Sequence, residues 1–417
     1  MRLELRWSEV DALVAGPATV LSGRRLTVDL DGLRGLLEAD PRLARVQLDL
    51  AHPGEACRIG RVFDVVAPRA RLGGEDFPGV LGALDRTGSG VTLALRGVAV
   101  VATDQQLDNP STLAIIDMSG PVAAMSAFGR TANLVISATA AVGVGRGEYQ
   151  AAVRLAALRA SVQLARAAEG VEPDQVEVLD LVPRAPAELA HLPRVAYVFQ
   201  IHSHQRPTGA DEGILYGDPV RRMLPTAVHP NEVLDGAVLR GFMGRNVTTY
   251  ATQNHPVIRA LYARHGRSLW FAGVVLTVAQ ATEPERVRGA ALAAGLVVDV
   301  LGADGAVFTK IGGGAPHVDM AQAAANCEAR GVKTAAIVED MSTDGTQEGM
   351  LLFDFQGLDA LVNVGGSQET VEVPAMARAI GARDGDPAFL AARRVSYGGL
   401  CGVIEQIGAT RVQALIR

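Results

Sequence analysis

The chain has 417 residues, of which 48% are hydrophobic, 20% charged and 4% aromatic, and its formal net charge is −6. This composition excludes global disorder, and the negative charge without any Lys/Arg block argues against a nucleic-acid-binding protein. No apolar run is long enough to span a bilayer and MRLELRWSEV lacks a signal-peptide core, so we expect a cytoplasmic protein that is not in a membrane.

Three segments are predicted along the chain. Residues 1–111 contain short alternating or apolar runs such as RLTVDLDG and SGVTLALRGVAVVA, which predict a β-rich N-terminal domain with one helix near Leu33–Glu38. Residues 112–240 combine apolar strands with a long amphipathic helix that closes at Gly170, which indicates an α/β middle domain. Residues 241–417 alternate helices with apolar strands and predict an α/β C-terminal domain.

The fold class is therefore α/β, with a β-rich N-terminal region followed by mixed or parallel sheets covered by helices. Ligands of such sheets bind beyond the carboxyl ends of the strands. The polar segments that follow the apolar strands are consequently the places where a site is expected.

The segment IHSH ends one predicted strand. His202 and His204 are two residues apart, so an extended backbone directs both imidazoles to one face, an arrangement suited to zinc. His229 or His255 would supply a third ligand, and Glu232 or Asp211 a carboxylate. The alternative is a pair of solvated loop histidines.

The segment KIGGGAPHVDM, residues 310–320, precedes a predicted helix. Its glycines, including Gly313 and Gly314, allow a ligand to approach the backbone closely, and a helix N-terminus favours a carboxylate or phosphate. We predict Gly313, Gly314 and Asp319 as substrate-binding residues. The alternative is a flexible loop in which Asp319 caps the helix. A strand also runs into Glu339 and Asp340, which indicates either an acid/base or metal-ligand loop or an ordinary acidic turn.

The segment GFMGRNVTTYATQNHPVI, residues 241–258, is unusually rich in hydroxyl and amide side chains between apolar runs. This density predicts a substrate pocket, lined by Thr248, Thr249, Tyr250, Gln253, Asn254 and His255. Pro256 should end the loop and begin the next helix. The alternative is that Thr248 and Asn254 only cap turns.

Several segments together resemble a known family. IIDMSGP, LYGDPVRRMLPTAVHPNEVLDGAVL, NVTTYATQNHPVI and VNVGGSQETVEVPAM are similar to segments of the α/β precursor of component B of the glycine, sarcosine and betaine reductases. The resemblance covers residues 112–417. It implies an enzyme that cleaves a C–N bond of a small amine, amino acid or amide, together with a thiol- or selenol-bearing partner subunit in an oligomeric complex.

The resemblance also implies roles for individual residues. Thr248, Thr249, Tyr250 and His255 are expected to be catalytic, and Asn246, Gln253 and Asn254 to bind substrate. In these reductases the precursor is cut near this segment, and a cysteine becomes a pyruvoyl group that captures the substrate amine. Between Asp235 and Tyr250 this chain has neither Cys nor Ser. We therefore expect an uncut chain without a pyruvoyl group.

Two other functions stay open. A zinc ion held by His202, His204 and His229 would make the protein a metal-assisted hydrolase or lyase. Alternatively, the chain is a non-catalytic subunit that kept the fold and the partner surface. The abundance of Ala and Arg is typical of a bacterial genome of high GC content, and Cys57, Cys327 and Cys401 are expected to be small buried residues.

Overall fold

The computed structural model describes residues 1–106, 114–182, 185–203, 213–239, 247–340, 358–381, 387–408 and 413–415. The strands are β1 Arg2–Glu9, β2 Ala12–Ala15, β3 Val20–Ser22, β4 Arg25–Val28, β5 Leu43–Ala51, β6 Cys57–Ile59, β7 Val62–Val66, β8 Arg69–Leu72, β9 Gly90–Arg96, β10 Val98–Asp104, β11 Ile116–Asp117, β12 Ala132–Ala140, β13 Gln175–Asp180, β14 Arg194–Ser203, β15 Gly213–Leu215, β16 Asp218–Pro219, β17 Thr226–Val228, β18 Trp270–Ala279, β19 Gly305–Thr309, β20 Lys333–Asp340, β21 Ala360–Gly366, β22 Thr370–Val373, β23 Arg378–Ile380, β24 Arg393–Ser396 and β25 Gln413–Leu415.

The helices are α1 Leu30–Glu38, α2 Gly120–Met125, α3 Arg146–Arg166, α4 Pro230–Leu234, α5 Thr249–Gln253, α6 Pro256–Arg264, α7 Glu283–Gly295 and α8 Ala315–Glu328. A π-helical turn, Leu296–Val300, continues α7. The α/β class predicted from the sequence is confirmed. Within the part of the chain that the structure describes, no helix is long and apolar enough to cross a membrane.

Two four-stranded sheets are built largely from the N-terminal part of the chain. One has the order β13-β1-β9-β8 and the other β5-β12-β10-β7. The long helix α3 packs on the second sheet, where Tyr149, Val153 and Leu158 meet Val100 and Leu134 in one buried cluster. Twelve of the 21 residues of α3 are buried, because the helix is covered on more than one side.

Sheets also join strands that are far apart in sequence. A three-stranded sheet of order β11-β6-β23 takes one strand from each of the three predicted segments. At its centre the buried side chains of Arg58 and Asp117 form a bidentate ion pair. The Nε–Oδ1 distance is 2.6 Å and the Nη2–Oδ2 distance is 2.9 Å. Hydrogen-bonded sheets thus cross both predicted segment boundaries, and the division into three domains stays a prediction.

The largest sheet has seven strands in the order β17-β18-β14-β19-β20-β21-β25. Its five central strands are parallel, and the two edge strands are antiparallel to their neighbours. The chain places β18 on one side of β14 and then adds β19, β20 and β21 on the other side. The strand order therefore reverses between β14 and β19, which is the topological switch point of a doubly wound sheet.

Helices cover both faces of this sheet. Alternate residues of β14 point to opposite faces, so Tyr197 and Phe199 pack with α6, whereas Ala196 and Val198 pack with α7 and α8. A sheet buried on both faces needs near-continuous apolar strands, which explains the runs in the sequence. Polar side chains within these strands are therefore uncommon, and each one needs a hydrogen-bond partner.

Candidate functional site

The segment from Thr248 to His255 is mostly a short helix, not the loop that the sequence predicts. Thr248 is the N-cap of α5, and its hydroxyl accepts a hydrogen bond from the Ala251 N–H at 3.1 Å. Pro256 begins α6 at the predicted position, because its fixed φ and missing N–H suit the first helical turn. Thr248 thus has the capping role that the alternative interpretation of this segment assigns to it.

Two side chains of α5 are bonded to the segment that runs from β7 to β8. The Thr249 hydroxyl donates to the Asp64 carboxylate at 2.6 Å, and its backbone N–H donates to the same carboxylate at 2.9 Å. The Gln253 amide oxygen accepts from the Ala67 N–H at 2.9 Å, while its amide nitrogen donates to the Ala67 carbonyl at 3.4 Å. Both side chains are fully buried. They attach α5 to the N-terminal part of the fold.

Tyr250 and Asn254 lie on the same helix beside Arg69. The Tyr250 ring packs edge-on against Phe128 with 5.2 Å between centroids, and burial raises the pKa of its hydroxyl. Asn254 accepts a hydrogen bond from the Arg69 guanidinium at 2.9 Å and donates to the Tyr250 carbonyl. Burial lowers the pKa of Arg69 to about 9. Asn246, also predicted to bind substrate, lies outside the described residues.

His255 connects this segment with the large sheet. Its Nε2 lies 3.0 Å from the Tyr197 hydroxyl, which is also hydrogen-bonded to the Thr309 hydroxyl. Burial lowers the pKa of His255 to about 3, so the imidazole is neutral at physiological pH. Its Nδ1 is buried and forms no hydrogen bond with any described residue.

The predicted zinc ligands are only partly described. His202 is buried at the end of β14, and His204 lies outside the described residues. His229 caps α4: its Nδ1 accepts from the Asn231 N–H at 3.2 Å, and its Nε2 donates to the Leu181 carbonyl at 3.1 Å. Among the residues described, no three His, Cys, Asp or Glu side chains are grouped so that they could hold a metal. A zinc site stays a prediction.

A lysine stands at the switch point between β14 and β19. Lys310 directly follows β19, is fully buried, and donates from Nζ to the Gly312 carbonyl at 2.7 Å. Burial lowers the pKa of its ammonium group to about 8, although the charge of Glu339 acts in the opposite direction. Glu339, on β20, is itself 2% exposed. A buried cation and a buried carboxylate therefore both lie at the carboxyl edge of the sheet.

The glycine loop after Lys310 is held in place from a distant part of the chain. The Gln406 amide oxygen accepts from the Gly312 N–H at 2.6 Å, and its amide nitrogen donates to the Glu339 carboxylate. Gly312 and Gly314 have φ of 86° and 74°, a backbone region that disfavours side chains, and Gly314 is the N-cap of α8. Asp319 lies beyond the first turn of α8, so the alternative in which it caps this helix is wrong.

Asp319 instead lines a cleft between α7, α8 and the carboxyl halves of β14 and β18. The lining of the cleft includes Val198, Gln200, Arg286, Phe308, Asp319 and Met320. One Asp319 oxygen accepts from the Gln280 N–H at 2.8 Å, and the other lies 3.4 Å from Arg286 Nε. Burial raises the pKa of Asp319 to about 7.

The adjacent residues Glu405 and Gln406 connect the two predicted sites. Gln406 contacts the glycine loop, whereas Glu405 is hydrogen-bonded to Thr248, the cap of α5. Burial raises the pKa of Glu405 to about 8, and the bond with Thr248 opposes that shift. The two adjacent residues thus link the N-terminus of α5 with the glycine loop.

Sequence reasoning singled out neither Lys310 nor Gln406. Lys310 carries a readable signal, because a cation that directly follows an apolar strand and precedes a glycine loop is unusual in a sheet buried on both faces. Gln406 lies 94 residues from Gly312 and carries no such signal. Only the fold brings it to the site.

The fold and this edge define a doubly wound α/β protein whose buried polar groups gather where the strand order reverses. The chain matches the model of the glycine/sarcosine/betaine reductase component B subunits over residues 1–414, and it belongs to that family. The match confirms the resemblance read from the motifs. It also extends through the first 111 residues, whose motifs are weaker.

Three curated relatives give the extent of the similarity. The chain is 31% identical to the glycine reductase complex component B subunits alpha and beta of Acetoanaerobium sticklandii, over 91% of this chain and 89% of the relative. It is 32% identical to the sarcosine reductase and 30% identical to the betaine reductase complex component B subunit alpha of Peptoclostridium acidaminophilum, each over 92% of this chain and 90% of the relative. No solved structure matches significantly.

Proposed function

We propose that this chain is a substrate-handling subunit of a reductase-type complex that acts on a C–N bond of a small amine or amino acid. The substrate site is the carboxyl edge of the seven-stranded sheet, beside Lys310. The observation that carries this proposal is a fully buried ammonium group at the switch point whose single hydrogen bond to the described residues goes to Gly312.

A buried ammonium group has three N–H donors, and leaving two of them without partners is costly. An anionic ligand would satisfy them. Gly312 and Gly314 leave room for a ligand near the backbone, and the N-terminus of the 14-residue helix α8 favours negative charge. A substrate carboxylate at this position would therefore be held by Lys310 and the glycine loop.

Lys310 also has the properties of a proton-exchanging group. With a pKa of about 8 it is only partly protonated in mildly alkaline solution, and Glu339 is the neighbouring carboxylate. A group with a pKa near the working pH transfers protons efficiently. We assign to Lys310 the exchange of a proton with the bound substrate, and to Gln406 the positioning of Glu339 and of the loop.

The pyruvoyl group implied by the family does not fit the residues of this chain. Such a group requires Cys or Ser as its source, and residues 235–250 contain neither. Cys57, Cys327 and Cys401 lie in β6, in α8 and in a turn after β24, and all three are buried. We therefore propose that the chain stays whole, and we assign no step to a carbonyl cofactor.

Reductive cleavage of a C–N bond consumes two electrons, which must come from a reductant. The relatives named above are subunits of glycine, sarcosine and betaine reductase complexes. Because the cysteines of this chain are buried, we propose that a thiol- or selenol-bearing partner subunit supplies the electrons. The pocket role of Thr248–His255 stays a prediction within the same region.

Two measurements on the full-length protein test the proposal. Denaturing mass spectrometry should give one species near 43.6 kDa; two fragments separated near residues 240–249 would contradict an uncut chain. Ligand-observed NMR with glycine, sarcosine and betaine should detect binding of at least one of them. Lys310→Met should weaken that binding at least about tenfold, since a charge-assisted hydrogen bond is lost.

The matched control is Lys333→Met, because Lys333 is exposed and pairs with Asp359 at 3.0 Å on the surface. It should bind like the wild type. Absence of binding to all three compounds, or equal binding by the two lysine variants, would contradict the proposed site.

A further inference from the structure

The cleft between α7 and α8 contains a buried oxygen that is not hydrogen-bonded. Gln200, on β14, is 2% exposed, and its amide nitrogen donates to the Pro316 carbonyl at 3.3 Å. Its Oε1 forms no hydrogen bond with any residue that the structure describes. A buried carboxamide oxygen without a partner is uncommon and favours a ligand that donates a hydrogen bond.

A second acceptor lines the same cleft. The Asp319 Oδ1 atom forms no hydrogen bond within the described chain, although Arg286 Nε lies 3.4 Å away. At this distance the guanidinium offsets the charge of the carboxylate, but it does not form a normal N–H···O hydrogen bond with Oδ1. The cleft therefore offers two oxygen acceptors, one from an amide and one from a carboxyl group.

Much of the remaining lining is apolar, and the polar side chains of Thr277, Gln280, Arg286 and Thr309 complete it. Val198, Phe308 and Met320 contribute carbon surface, and Phe308 is the one aromatic side chain among the described residues of the lining. A cage for a quaternary ammonium group uses several aromatic faces. This cleft instead combines aliphatic contacts with acceptors, which suits a small amine that keeps its N–H groups.

We propose that this cleft binds the protonated amine of the substrate, which donates N–H groups to Gln200 Oε1 and Asp319 Oδ1, and that it selects primary and secondary amines over quaternary ammonium compounds. This inference rests on the proposed function, because it locates one end of the substrate of the same site. Gln200 connects the cleft to the glycine loop through Pro316, at the start of α8. Gln200 and Asp319 are thus specificity-determining residues.

The selectivity follows from hydrogen bonding. A primary or secondary ammonium group carries at least two N–H donors, one for each acceptor. A trimethylated ammonium group carries none, and it would leave both oxygens buried without partners. Loss of a hydrogen bond to a charged group weakens binding by about tenfold or more.

The test compares glycine, sarcosine and betaine, which differ only in methylation of the nitrogen, by ligand-observed NMR on the full-length protein. Wild type should bind glycine and sarcosine at least about tenfold more tightly than betaine. Gln200→Met and Asp319→Asn should each weaken glycine binding by about tenfold and change betaine binding by less than about twofold. The two residues lie on separate elements, so either variant remains informative if the other does not fold.

Matched controls are Gln322→Met, an exposed position on α8, and Asp299→Asn, whose side chain is 62% exposed. Both should bind like the wild type. Equal affinity of the wild type for all three compounds would overturn the inference. So would loss of binding in Lys310→Met alone, with Gln200→Met and Asp319→Asn unchanged, and this result would leave the proposed function standing. No binding of any compound to the wild type would overturn both.

Discussion

Helix α5 and the carboxyl edge at Lys310 are both rich in buried polar side chains, yet they differ in what those side chains contact. In α5, Thr249 and Gln253 are fully engaged with Asp64 and Ala67. At the edge, Lys310 has one hydrogen bond to the described residues for its three donors, and Gln200 has an acceptor without a described partner. Unused hydrogen-bonding capacity, rather than the density of polar side chains, is therefore the property that separates the proposed ligand site from the internal contacts of α5.

The same contrast has an energetic side. A satisfied buried hydrogen bond stabilises the fold modestly, whereas an unsatisfied buried group costs free energy until a ligand compensates for it. Variants at α5 should therefore act mainly on stability. Variants at the carboxyl edge should act on binding and, where they remove an uncompensated charge, should stabilise the protein.

The largest effect on stability is expected for Gln253→Leu. This change leaves the N–H and C=O groups of Ala67 buried without their partner, which should lower the free energy of unfolding by about 4 kcal/mol. Urea unfolding measures the change, and Gln322→Leu, at an exposed position, is the control. If Gln253→Leu instead unfolds like the wild type and loses ligand binding, then α5 lines the pocket as the sequence predicts.

Lys310→Met should have the opposite sign. Burial lowers the pKa of Lys310 from 10.5 to about 8, which corresponds to roughly 3 kcal/mol of destabilisation by the charged form at pH 7. The variant should therefore be more stable than the wild type at pH 7. As the pH rises, Lys310 loses its proton in the folded state before it does so in the unfolded state. The stability of the wild type should therefore rise between pH 8 and 10.5 and approach that of the variant.

Unfolding curves at pH 7, 8.5 and 10 check this expectation, with Lys333→Met as the control. The stabilised variant should also bind ligand more weakly, as proposed above. A destabilised Lys310→Met protein would indicate that the lysine has a structural partner, and the comparison between the two regions would then fail.

Glu405 lies between the two regions and should show the reverse dependence on pH. Its pKa is raised from 4.5 to about 8, so wild-type stability is greatest below pH 4.5 and falls as the pH rises towards 8. Glu405→Gln should remove this slope and gain about 2 kcal/mol over the wild type at pH 6. Parallel unfolding curves for the two proteins from pH 5 to 8 would show that Glu405 is not buried in its neutral form.

The smallest effect on stability is expected for Tyr250→Phe. The edge-on contact with Phe128 needs only the ring, so the free energy of unfolding should change by less than about 1 kcal/mol. Glycine binding should stay within about twofold of the wild type. A loss of tenfold or more without a change in stability would identify the Tyr250 hydroxyl as a substrate contact.

The sequence was sufficient to predict β14, β18, β20 and β21 of the large sheet, because a strand buried on both faces must be continuously apolar, whereas the five-residue strand β19 was not predicted. It also indicated the glycine loop, since three consecutive glycines before a helix have few structural uses. The helix α5 was not predicted. At five residues it is too short for a hydrophobic period, and it depends on contacts with Asp64 and Ala67, more than 180 residues away.

The remaining residues of the proposed site could not be assigned from the sequence for a similar reason. Gln200 is one polar residue in an apolar strand, and whether its amide is satisfied depends on Pro316, in another element. Gln406 comes from a turn near the C-terminus, and its role exists only because the fold brings it next to Gly312 and Glu339. Local sequence patterns predict helices and strands. Whether a buried polar group finds a hydrogen-bond partner depends instead on the fold of the whole chain.

The seven-stranded sheet draws β14 and β17 from before residue 240 and β18 to β21 and β25 from after it. The pairing of β14 with β18 and β19 therefore joins the two sides by strand hydrogen bonds and a shared core. Two polypeptides divided near residue 240 would each carry strands that complete the other. The architecture is thus compatible with fragment complementation.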